Sequence, residues 1–82
     1  MFVVRITPPE GEPKLHAFEK RPDAKDWFDA AVIVATQHEI AATVALFEVA
    51  VKDDAPLARQ MVIEGRATLL GAKRPKDILS DA

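Results

Sequence analysis

Apolar positions along the chain fall into blocks whose spacing changes from two residues to about three and a half and back. The longest nearly uninterrupted block is Thr43–Val51, TVALFEVAV. Read as a strand, it puts Ala45, Phe47, Val49 and Val51 on one face and Val44, Leu46, Glu48 and Ala50 on the other. The first face is wholly apolar and the second carries one carboxylate. This is the pattern of a central strand with strands beside it and helices over at least one side. Phe2–Thr7 alternates in the same way, with Phe2, Val4 and Ile6 opposite Val3, Arg5 and Thr7, and predicts a first strand.

Three prolines and Gly11 within residues 8–13 exclude regular structure there and predict a loop. Residues 14–20 then predict a second strand, hairpin-paired to the first. Its register is ambiguous, because Leu15 and Ala17 compete with His16 and Phe18 for the core face. Arg21-Pro22-Asp23 opens a helix, with Asp23 as the cap and Asp26 near the positive end of the dipole. Trp27, Ala31, Val34 and Ala35 share a face at helical spacing, joined by Phe28 and Val32, and the helix is expected to end near Gln37. Asp54 and Pro56 start a second helix. Its apolar positions Leu57, Met61, Val62 and Leu69 carry it to about Leu70, with Gly65 inside and Gly71 as the stop.

The expected order is therefore β-β-α-β-α, a two-layer α+β fold. A right-handed crossover between the second and third strands predicts a three-stranded, mainly antiparallel sheet of order 2-1-3, with both helices on one face. Residues 1–73 form the expected single domain and 74–82 a flexible polar tail. The open face would present Val3, Arg5, Val44, Leu46 and Glu48, joined by Phe18 and His16 in the favoured register, which turns Leu15 and Ala17 inward. A largely apolar open face is the mark of an interface, so self-association as a dimer is the leading expectation, with another protein as the other partner.

Composition narrows the function classes. The 82 residues are 49% hydrophobic and 29% charged, with net charge −2; a folded domain is expected, and a nucleic-acid partner is disfavoured by the acidic balance. The chain has no cysteine, which removes disulfides, thiolate metal sites and cysteine nucleophiles. No basic leader precedes an apolar core at the N-terminus, and no apolar run reaches the roughly 20 residues that span a bilayer. A cytoplasmic, non-membrane protein is the expectation.

Candidate chemistry is sparse. His38-Glu39-Ile40-Ala41-Ala42 begins like the HExxH zinc-protease helix, but Ala42 stands where the second histidine ligand is needed. Gly65–Lys73 has glycines one position too far apart for a phosphate loop, and Arg74 replaces its magnesium-binding hydroxyl. His16 and His38 could serve as metal ligands or general bases only with carboxylates such as Glu19, Glu39 or Glu48 beside them. Asp23, Asp26 and Asp29 make an acidic helix edge. Arg59, Arg66 and Lys73 recur every seven residues and, with Arg74 and Lys76, define a second possibility: an anion-binding stripe along the C-terminal helix. No cofactor, metal site or catalytic constellation is expected.

Overall fold

The fold is that of a computed structural model, which describes residues 1–74. It is α+β, with elements β1 (Phe2–Thr7), β2 (Lys14–Phe18), α1 (Arg21–Gln37), β3 (Thr43–Glu48), α2 (Ala55–Ile63) and β4 (Thr68–Lys73). The sheet is antiparallel with order β2-β1-β3-β4. The expected 2-1-3 arrangement is present, but the sheet has four strands rather than three. The fourth, Thr68–Lys73, occupies sequence that helical spacing assigns to the end of the second helix. The expected polar tail lies outside the described residues apart from Arg74, which comes directly after β4.

The two helices lie on opposite faces of the sheet, not on one. Phe2, Val4, Ile6, Phe18, Val44 and Leu46 pack with Ala24 and Phe28 of α1. Val3, Leu15, Ala17, Ala45 and Phe47 pack with Ala58 and Val62 of α2. The reason is visible in β3: both of its faces are apolar, and each needs its own cover. In β2, the two competing registers resolve as two used faces, Leu15 and Ala17 toward α2 and His16 and Phe18 toward α1.

Helix ends decide where the sequence expectation failed. Asp54 caps α2 as expected, its Oδ1 accepting from the Leu57 N–H at 3.1 Å. Asp23, expected as the cap of α1, instead sits in the first turn; the cap position is Lys20, which makes no side-chain cap bond. Both helices end in the same kind of turn. The Ile40 N–H donates to the Ala35 carbonyl at 2.9 Å and Glu39 to Thr36 at 3.3 Å. Arg66 donates to Met61 at 2.8 Å and Gly65 to Val62 at 3.1 Å. This is the Schellman pattern, which needs a left-handed residue at its pivot. Gly65 supplies it with φ +74°, and Glu39 with φ +53°. Gly65 is thus the stop of α2, and the residues beyond it are free to become a strand.

Two substitutions test this. A Cβ at Gly65 would meet nothing within 4 Å, so Gly65→Ala isolates the backbone cost of the left-handed pivot and should lose about 1 kcal/mol. Glu39→Gly, which removes the same penalty at α1, should gain up to about 1 kcal/mol. Urea unfolding followed by circular dichroism reads both. Equal stability in all three proteins would mean that neither pivot is strained.

Candidate functional site

The residues expected to form an open sheet face are not on one face, and most are not open. Val3 and Arg5 point toward α2, whereas Phe18, Val44, Leu46 and Glu48 share the α1 side by their pairing. Val3, Val44 and Leu46 are buried, Arg5 and Phe18 are partly covered, and Glu48 is exposed. The sheet therefore offers no bare apolar face between its helices.

The basic stripe is dispersed by the same correction. Arg59 lies on α2, Arg66 lies in the turn beyond it and pairs with Glu64 at 2.9 Å, and Lys73 ends β4. Arg74 comes after β4, and Lys76 lies outside the described residues. Once the helix ends at Ile63, a seven-residue repeat no longer means one face. The histidines are separated too. His16 stacks against Trp27 with ring centroids 4.9 Å apart, while His38 is the exposed C-cap of α1. Among the described residues, no group of three His, Asp or Glu side chains is placed to hold a metal ion.

What the structure does assemble is an apolar groove beside α1, about 340 Å³ in volume. Three elements build it. Helix α1 contributes Trp27, Ala30, Ala31, Val34 and Ala35, a flank that helical spacing alone would assign to the core. The sheet contributes Ile6 and Val44, adjacent by pairing. The Schellman turn swings Ile40 back over Ala35, adding the hydrophobic contact that accompanies such turns. Pro8 and Ala42 complete the lining. Among the described residues, no charged side chain lines it.

The groove opens onto an apolar surface. Trp27 is 43% exposed, Val34 50%, and Ile33 and Ile40 are comparably bare. Trp27 is held in place by its neighbours on β2, His16 and Phe18, the latter at 6.0 Å between centroids. Trp27 is thus a held, half-exposed tryptophan among exposed aliphatic side chains. Sequence spacing favours Trp27 as a core anchor, with a residue at a partner interface as the alternative. Its exposure is explained by Phe28, one residue on, which takes the core position and is 7% exposed.

A second, mixed pocket of about 480 Å³ lies on the α2 side, lined by Arg5, Glu12, Pro13, Leu15, Val62 and Ile63. No helix among the described residues is long and apolar enough to cross a membrane. No family model, curated protein or solved structure matches the chain.

Trp27 and Phe28 should separate cleanly in experiment. Phe28→Ala empties a packed core site and should cost about 3–5 kcal/mol, close to unfolding a domain of this size. Trp27→Ala should cost clearly less, because nearly half of the ring is already in water. Thermal melts of the two variants decide it; equal losses would place Trp27 in the core.

Proposed function

We propose that this chain is a small interaction module that pairs with a second copy of itself through the groove beside α1. The observation that carries the reading is the groove's wholly apolar lining, open to solvent beside Trp27, Val34 and Ile40. It gives an apolar surface to remove from water but no polar handle to orient a small ligand or activate a bond. Binding there is driven by area, and specificity has to come from the rim.

The rim favours a second copy. At about 100° per residue, Asp23 and Asp26 fall on the same side of α1 as Ala30, Ile33 and Val34, toward the N-terminal end. Arg21 and Lys25 fall on another side, and Lys25 is tied to Asp29 at 3.1 Å. At the opposite end, Lys14 pairs with Ile6 and Lys73 with Val44, placing a lysine at each side of the two sheet residues that line the groove. Two copies with their α1 helices antiparallel about Ala30 bring each acidic end toward the other copy's lysines. Such a contact is isologous and closes on itself.

Light scattering across a range of concentrations should show a reversible dimer, with the emission of Trp27, the only tryptophan, shifting to the blue as it forms. Val34→Asp, at a half-exposed position, should leave a folded monomer. Changing Asp23 and Asp26 to lysine in one protein, and Lys14 and Lys73 to glutamate in another, should weaken each homodimer. Mixing the two should restore dimers, because both rims are again complementary. A wild-type monomer at all concentrations overturns the reading; a dimer indifferent to the charge exchange overturns the antiparallel arrangement.

A further inference from the structure

On the face away from that groove, the structure holds an arginine that no carboxylate among the described residues pairs with. Arg5 lies in β1, flanked by Leu15 on β2 and Ala45 on β3. Its guanidinium carbon sits 4.9 Å from the centre of the Phe47 ring. Its Nε is sealed from solvent without a hydrogen-bond partner, the one such side-chain atom among the described residues. The two Nη atoms are neither sealed in this way nor bonded to the described chain. An unpaired buried donor is costly, and a sealed Nε that no ligand reaches shows how tightly the side chain is pinned. The ring beneath Arg5 holds the side chain down, and the strands to either side fix its base. The result is a pre-placed guanidinium whose outer edge is free to accept a planar anion end-on.

The surroundings describe the rest of the ligand. Arg5 shares its pocket with Glu12, carried by the proline-rich loop, and with Pro13, Leu15, Val62 and Ile63. The volume, about 480 Å³, is in the range of small-molecule sites. A simple carboxylate would meet Arg5 favourably but also the like charge of Glu12. A simple amine would meet the reverse. A molecule carrying an anionic and a cationic group a few ångströms apart can meet both charges lining the pocket, and the negative end of α2, which terminates at Ile63, adds to the attraction for its cationic group. Leu15, Val62 and Ile63 then offer contact to an aliphatic body.

We propose that this pocket binds a small aliphatic α-amino acid, with its carboxylate on the Arg5 Nη atoms, its ammonium toward Glu12, and its side chain against Leu15, Val62 and Ile63. The site is on the sheet face opposite the α1 groove, so it stands or falls independently of self-association.

The test is titration of the full chain with L-leucine, followed by the methyl resonances of Leu15, Val62 and Ile63 and by calorimetry. Two comparators each lack one charge: 4-methylpentanoate has no ammonium and L-leucinamide no carboxylate. L-leucine should give saturable shifts, and both comparators should bind roughly tenfold or more weakly, the scale of one lost charge-assisted hydrogen bond. Arg5→Met should abolish binding. Because Arg5 is partly covered and that variant could unfold, Glu12→Gln, in an exposed loop, provides the second test: it should erase the preference for L-leucine over 4-methylpentanoate. No shift with L-leucine up to its solubility limit, equal binding of the comparators, or an unchanged preference in Glu12→Gln would each overturn the proposal.

Discussion

The antiparallel pairing of β1 with β3 is the contact on which everything else rests. It joins Val3 to Phe47 and Val4 to Leu46, so one ladder feeds two apolar layers of opposite orientation. Val3, Val4 and Val44 are fully buried, and neither helix has a docking surface without them. A chain this short buries a modest share of its surface, and it manages two cores by making each one thin. Ala24, Ala35 and Ala58 bring the helices close to the sheet, and among the described residues no polar side chain is buried between them. Arg5 is the exception in kind: a charge on a sheet face, tolerated because its stem packs and its head reaches a pocket.

Much of this is legible from residue order. Period-two alternation locates β1, β2 and β3, the hairpin and crossover rules place them as 2-1-3, and Asp54 announces α2. The misreadings share a cause. Leu69 and Leu70 fit a helical continuation of Met61 and Val62 as well as they fit a strand, and an interior glycine is tolerated in a helix at a cost of about 1 kcal/mol. Only the backbone shows that Gly65 is left-handed, which converts the same residues into β4. From that one pivot come the lost strand and the illusory stripe of Arg59, Arg66 and Lys73; the placement of both helices on one side comes instead from leaving the second apolar face of β3 uncovered. Taken as a terminator, Gly65 leaves a short spacer and then Thr68–Lys73 as a segment of its own, long enough for a strand.

The groove is hidden for a different reason. Its lining is a flank of α1, and hydrophobic periodicity marks an apolar flank without saying whether anything lies against it. Trp27 and Phe28 are adjacent, and only one can take the core position beneath the helix. Another lining residue, Ile40, depends on a non-glycine residue, Glu39, adopting a left-handed conformation. Side-chain chemistry does not announce such a turn, whereas a glycine would. A pocket that depends on strain at its corner is more sensitive to that corner than to its walls.

The fourth strand also determines how the molecule meets its neighbours in a crowded solution. Without β4, the hydrogen-bonding groups along one side of Thr43–Glu48 would be unpaired. That segment, TVALFE, is β-prone and carries a single charge at its end, the composition that recruits identical strands from other chains. The edge that β4 presents instead has Thr68 at one end, Gly71 within it and Lys73 at the other, with a register shift opposite Leu46 and Phe47. Irregularity and charge make it a poor template. The strand that sequence periodicity conceals thus covers the most β-prone edge of the chain, and removing it would expose that edge to pairing with other strands.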